Sequence, residues 1–276
     1  MTQPRHARET ERGRYYSDPA GGPDLVSVTN VLSTGVSKPA LVPWAVKLTA
    51  EWVVAHRIEV ARRAFTDREQ LLKDIKAVHR DARDRASDLG TRVHTRAEKM
   101  ALRAPFPADP EVDPYARQLA VFWDRWGVDL DEHIVAAEIT FVHRRLGYAG
   151  TGDCMVYLPT GPRRRLELWL IDYKTSATRP ASSVYPEHAL QLAALRFAEA
   201  VLLPDDSDGE VPRIERAGVL NLRQRSHALV PMPANRRAHR AFRGALETTR
   251  WLHPASTSYP ALLPPAADAR PNRKAA

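Results

Sequence analysis

The 276-residue chain has a single cysteine, Cys154. A lone thiol cannot close an internal disulfide, complete a zinc knuckle or hold a cysteine-ligated iron–sulfur cluster. Lying in an apolar, strand-like run, it reads as a plain buried thiol rather than a nucleophile. No stretch approaches the roughly 18 consecutive apolar residues of a membrane span, and mean hydropathy is −0.42. The opening MTQPRHARETERGRYYSDPAGG lacks the apolar centre of a secretory signal. A soluble, cytoplasmic protein with no membrane partner is therefore expected. No GxxxxGK[ST] loop occurs.

What is present suits one sizeable core: 43% of residues are hydrophobic. The net charge of +8 permits a polyanionic partner. The charge is spread along the chain rather than blocked into runs, so it does not by itself indicate one. Residues 1–24 and 263–276 are polar and rich in turn formers, and are expected to be a disordered arm and tail. Residues 25–262 are then a single domain.

Periodicity divides that domain. Residues 25–36 read as a short strand or turn leading into a helix that Ser27 or Thr29 could cap. Residues 41–64 are helical by their apolar spacing. Thr66 with Glu69 spells a capping box for a long helix through Ala97, in which Gly90 could mark a break. After the proline-rich loop 103–114 a helix over 115–126 closes the helical part, about 25–126. From 132 to 232 the period changes: 134–142, 148–158 and 165–174 are strands joined by short, hairpin-like links. A helix over 186–202, a hairpin over 214–222 and 227–232, and a last helix over 236–252 follow. The expected fold class is α/β (α+β), a mixed sheet flanked by helices with an N-terminal helical elaboration.

Chemistry concentrates on that sheet. Asp172 and Lys174 are two apart on a strand, so they share a face and Tyr173 points away. Alone, the pair could be a strand-end ion pair. A hairpin about PTGPRR, however, sets Asp153 across from Asp172, with Cβ atoms roughly 4.5–5.5 Å apart. Two carboxylates that close repel by roughly 4 kcal/mol at an effective dielectric near 20. A divalent cation turns that repulsion into ligation, and all-oxygen ligation suits Mg²⁺ or Mn²⁺. Gly150 and Gly152 before Asp153 allow either a bulge or a close approach by a phosphate or a helix. On the long helix, Gly90 thins the face one turn before His94, which could reach the cation as a neutral imidazole; a helical histidine is otherwise a packed or surface residue.

Taken in order, GTRVH (90–94), AAE (136–138), GYAGTGD (147–153), IDYKTS (171–176) and YPEHALQLAAL (185–195) resemble the PD-(D/E)XK nuclease superfamily. The likeness is to its RecB-like branch, which includes CRISPR-associated exonucleases and phage recombination exonucleases. It spans about residues 25–200, and the opening 27–46 is similar to phage-type members. The resemblance implies a restriction-endonuclease-like core and a Mg²⁺- or Mn²⁺-dependent deoxyribonuclease that acts in recombination, repair or phage DNA processing, in the host cytoplasm if phage-encoded.

The resemblance also implies roles. His94, Asp153, Asp172 and the Tyr173 backbone carbonyl would hold the metal. Lys174 would orient or deprotonate the attacking water. Gln191 matches the glutamine of the following helix, and Glu138 an acidic position that could hold a second ion or Lys174. Arg92, Arg96 and Tyr185 could contact DNA. A single-strand annealing protein or a recombinase is the implied protein partner. Two features depart from the family: the four cysteines of an iron–sulfur cluster are missing, and Leu195 stands where relatives often have an aromatic. The alternatives are a restriction-type endonuclease on the same core, a non-catalytic DNA-binding protein on a decayed nuclease fold, and a basic structural protein.

Overall fold

The computed structural model describes residues 5–254 and 258–262. Among these lie ten strands and seven helices: β1 (Ala7–Thr10), β2 (Gly13–Tyr16), β3 (Leu25–Ser27), α1 (Val28–Gly35), α2 (Leu41–Ala55), α3 (Arg57–Thr66), α4 (Arg68–Ala101), α5 (Asp113–Trp126), β4 (Ile134–His143), β5 (Tyr148–Leu158), β6 (Glu167–Thr175), α6 (Glu187–Arg196), β7 (Ala200–Leu202), β8 (Asp208–Glu210), β9 (Arg216–Leu222), β10 (His227–Pro231) and α7 (Arg236–Leu252). All strands join one mixed sheet, and the expected α/β class holds. No helix among the described residues is long and apolar enough to cross a membrane.

The sheet forks at β5. One edge of β5 pairs antiparallel with β4 along most of its length, from His143↔Tyr148 to Ile134↔Val156. The other edge changes partner. Its start pairs parallel with β3 at Val26↔Tyr148 and Ser27↔Ala149. Its end pairs antiparallel with β6 from Cys154↔Ile171 to Leu158↔Glu167. β6 continues parallel to β9, and β9 carries β10. The register of the β5–β6 hairpin is the one read from the sequence, with Cys154↔Ile171 setting Asp153 across from Asp172 at the ladder's end.

Two cores lie on opposite faces. On one, α1, α6 and α7 cover the sheet through Val31, Leu192, Leu195, Phe242 and Leu246. On the other, the end of α4 and α5 cover it through Val93, Ala97, Tyr115, Leu119 and Phe122. Gly150 lets the first layer approach closely: a Cβ there would stand 2.9 Å from both Leu195 Cδ2 and Val28 Cγ2. Of the roles open to this glycine, close helix packing is the one the fold uses.

Several expectations are corrected. Residues 5–24 are not a disordered arm: β1 and β2 form a hairpin with Ala7↔Tyr16 in register, and β2 adds to β3. Arg144 fixes this hairpin by donating to both oxygens of Asp18. Residues 1–4 and the expected tail, 263–276, lie outside the described residues. Ser27, not Thr29, caps α1 by accepting from the Asn30 amide at 3.0 Å. Thr66 ends α3 instead of capping α4, whose N-cap is Asp67 without a side-chain bond. α4 runs unbroken through Gly90 for 34 residues. The helix expected over 186–202 stops at Arg196, because residues 200–202 pair with β4 instead.

Candidate metal centre at the fork of the sheet

Three carboxylates stand abreast where β5 leaves β6. Ala137↔Cys154 and Ile139↔Gly152 place Glu138 across from Asp153. The β5–β6 ladder ends at Cys154↔Ile171, one residue short of Asp153 and Asp172. There the Asp153 carboxylate takes over the backbone's role, and its Oδ2 accepts the Tyr173 amide at 2.6 Å. Glu138 sits in the left-handed region at φ 51°. For a residue with a Cβ that conformation costs about 1–3 kcal/mol and persists only where the surroundings enforce it. Strain on a buried carboxylate facing another carboxylate is not a device for stability.

α4 supplies the histidine. Gly90 lies in ordinary contact with the end of β6, its added Cβ 3.5 Å from Thr175 Oγ1. One turn later, His94 Nδ1 stands 3.4 Å from Asp153 Oδ2 and 4.0 Å from Glu138 Oε1. Ligand atoms of His94, Glu138 and Asp153 all fall within 4.8 Å of one another. Neither His94 Nδ1 nor Glu138 Oε2, both buried, makes a hydrogen bond among the described residues. Buried polar atoms without such a bond are costly, and here they converge on one point. Two oxygen donors and one imidazole are a donor set suited to a divalent cation.

Asp172 is held differently. Lys174 Nζ lies 2.8 Å from its Oδ1 and 2.6 Å from its Oδ2. Gln191, from α6, donates to Oδ1 at 2.7 Å. The structure thus brings Glu138 into the group with His94 and Asp153, where the family resemblance would have put Asp172. It places Glu138 beside these residues rather than at Lys174. The Tyr173 ring is buried and stands edge-on to His94, with centroids 6.0 Å apart.

The charges are strongly coupled. Burial, reinforced by Asp153, lifts the Glu138 carboxyl to about 8. Burial also raises Asp172, with Lys174 opposing and Asp153 adding. Asp153 is likewise disfavoured by burial, yet His94, Lys174 and the Tyr173 amide together hold it below the usual range. Burial works against charge on His94, but Asp153 outweighs it and the imidazole is raised. Lys174 is also raised: burial opposes its charge, and Asp172 and Asp153 prevail.

Three further expected residues fare unequally. Arg92 and Arg96 are occupied with protein. Arg92 reaches Asp88, Asp109 and Glu111 at 2.9, 2.6 and 2.5 Å. Arg96 is buried, bonded to Asp113 and the Pro107 carbonyl and stacked on Phe106. Both staple the 103–114 loop onto α4, so neither is free for a phosphate. Tyr185 is 38% exposed, outside the metal cluster, with the Arg179 guanidinium 4.0 Å from its ring centroid.

No known family model and no curated protein matches the chain.

The clefts flanking Lys174 differ in charge. One, of about 740 Å³, runs between α4 and Thr175–Ala177 and presents Asp81, Asp84, Asp88 and Glu111 against Arg85 and Arg92. The other, of about 640 Å³, lies between the α1–α2 turn and α6; Lys38, Lys174, Tyr185, His188 and Gln191 line it with Glu187 as its carboxylate. Burial and then the nearby Lys174, Arg179 and Lys38 charges depress His188 to about 4. The sequence does not reveal this asymmetry, nor Asn221 and Arg223 on and beside β9, which bond the segment after β6.

Proposed function

We propose that the protein is a divalent-metal-dependent deoxyribonuclease, most simply an exonuclease, that hydrolyses phosphodiester bonds. The observation that carries this reading is the row Glu138, Asp153 and Asp172 on adjacent strands, with His94 above it and Lys174 beside it. Such crowding of buried carboxylates makes sense as a cation site and as little else. The motif order that resembles RecB-like nucleases supports DNA as the substrate.

A bound divalent cation would supply Lewis acidity toward a phosphoryl oxygen and toward water. The residues do the remainder. Gln191 and Lys174 fix Asp172 in one rotamer through bonds of 2.7 and 2.8 Å to its Oδ1. Lys174 places a positive charge where the phosphate gains negative charge. Asp153 locks the ends of β5 and β6 together through the Tyr173 amide. Water adds to phosphorus, the bond to the 3′ oxygen breaks, and the resemblance implies a 5′-phosphate on the product. The cleft holding Lys38 and Lys174 is the better path for a polyanion, since the opposite cleft is predominantly acidic.

The test uses end-labelled linear and closed circular DNA with Mg²⁺, Mn²⁺ or EDTA, beside Asp172→Asn and Lys174→Ala. Loss of only linear DNA, stopped by EDTA, is expected. Each substitution removes several kcal/mol of transition-state stabilisation, a loss on the order of 10³-fold. Cutting of the circle would instead indicate an endonuclease. DNA binding without metal-dependent cutting under any condition would overturn the enzymatic reading.

A further inference from the structure

Eleven residues, 176–186, join β6 to α6 without helix or strand. This connection has Lys174 before one end and Gln191 beyond the other, the two side chains that hold Asp172. Lys174 lies in the β6–β9 ladder and Gln191 on α6, and the course of the connection sets how the two elements meet at Asp172.

Arg223, the residue after β9, is 8% exposed. Its guanidinium spreads over the carbonyls that begin and line the connection. Nη1 donates to the Lys174 carbonyl at 3.0 Å and to the Leu222 carbonyl at 2.8 Å. Nε donates to the Arg179 carbonyl at 2.7 Å, and Nη2 to the Pro180 carbonyl at 3.2 Å. Asn221 completes the set. It pairs with Lys174 in the β6–β9 ladder, accepts from Arg223 Nη2 at 3.1 Å and donates to the Ser183 carbonyl at 3.0 Å. The connection is therefore pinned at 179, 180 and 183, and the end of β6 at 174, from one strand end.

Energetics separate this arrangement from ordinary loop packing. A buried cation normally stands against a carboxylate. Among the described residues Arg223 has no such partner, and all its hydrogen bonds are to carbonyl oxygens and an amide oxygen. Burial accordingly disfavours its charge. Keeping an unpaired guanidinium here is a poor route to stability and a good route to a single loop geometry, because the planar fork fixes several acceptors at once.

We propose that Arg223, with Asn221, is a positioning residue that sets Lys174 and Gln191 against Asp172. This rests on the nuclease reading above. Displacing a positioned group by about 1 Å costs on the order of 10²-fold in rate.

The experiment compares wild type with Arg223→Met, which keeps length but not the fork, and Arg223→Lys. Three quantities are read below the melting temperature of all three proteins: kcat and KM on linear DNA, Mn²⁺ affinity by titration of the metal alone, and hydrogen exchange over 176–186. For Arg223→Met the expected result is faster exchange confined to 176–186, kcat lower by roughly 10- to 100-fold, and KM and Mn²⁺ affinity within about threefold. Arg223→Lys should recover part of kcat. Unchanged exchange in 176–186, or unchanged kcat in the folded variant, overturns the proposal. A wild-type chain that cuts nothing overturns the nuclease reading instead, and the exchange result still decides whether Arg223 fixes the connection.

Discussion

The fork of the sheet and the helical arm of α2 and α3 distribute charge and apolar surface in opposite ways. At the fork, charge is inside: Asp153 is 8% exposed and Asp172 4%, beside Glu138, His94 and Lys174. In the arm, apolar surface is outside. Neither α2 nor α3 buries a single residue, and Phe65 is 94% exposed with Val42, Val46, Val54 and Ile58 also in solvent. Each region taken alone breaks the rule that charge belongs outside and hydrocarbon inside. The difference is in what surrounds the exception. At the fork the two packed cores enforce the geometry, so the unfavourable charges are locked at fixed distances. In the arm, among the described residues, α2 and α3 make their main contacts with α4 and with each other.

The largest effect that separates the regions is chemical. Glu138→Gln removes a ligand atom while keeping shape, and the carboxyl it replaces is held neutral by burial up to about pH 8 when no metal is present. Melting without metal at pH 7 should therefore change little. In wild type, a cation at about 100 times its Kd adds roughly 2.7 kcal/mol, which at about 2–4 °C per kcal/mol raises the melting temperature by about 5–10 °C. That rise should vanish in Glu138→Gln, together with cleavage. A full metal-induced rise in the variant would show that the cation sits elsewhere.

The next effect is steric. Gly150→Ala puts a methyl 2.9 Å from Val28 Cγ2 and Leu195 Cδ2. Overpacking of this kind costs about 1–3 kcal/mol. Thermal unfolding should shift down by several degrees, with metal affinity changed less, because α1 and α6 recoil while the row of carboxylates stays. An unshifted melting curve would mean that the first core is as permissive as the arm, and the comparison would fail.

The sequence makes the fork legible to a degree it does not make the arm. Asp172 and Lys174 at a spacing of two, and the hairpin register through Asp153, follow from strand periodicity and a short link, both local properties. The place of His94 follows from the long helical periodicity of α4, which is also local, and not from a thin face at Gly90, where an added Cβ would make only an ordinary contact with Thr175. Other features depend on partners far along the chain. The hairpin β1–β2 is two four-residue strands of mostly polar residues, and distant partners order it: pairing with β3, the Asp18–Arg144 ion pair, and Ala7 and Tyr16 packed on Val142, Ala149 and Leu202. The backbone twist at Glu138 has no residue signature, since nothing but its neighbours imposes φ 51°. Arg96 and Arg223 read in sequence like any surface arginine. One faces Asp113 and the other faces carbonyls, and no spacing along the chain distinguishes them from a phosphate-binding side chain.

The smallest expected effect is the sharpest test of the arm. Phe65→Ser would be ruinous in either core, where deleting an aromatic costs about 3–5 kcal/mol. At 94% exposure the ring has almost no transfer free energy to lose, so the change should stay within about 0.5 kcal/mol. Amide exchange should agree: α2 and α3, with no buried residue, should open at far lower free energy than β5 and β6. The two measurements check each other. A chain in which Phe65→Ser is neutral and α2–α3 exchange quickly has an arm held by helix formation and its contacts with α4, with its apolar face free in solution. A chain in which the same substitution costs several kcal/mol, or in which the arm is protected as well as β5, has that face covered in solution, and the exposed row from Val42 to Phe65 would then be an interface rather than a free surface.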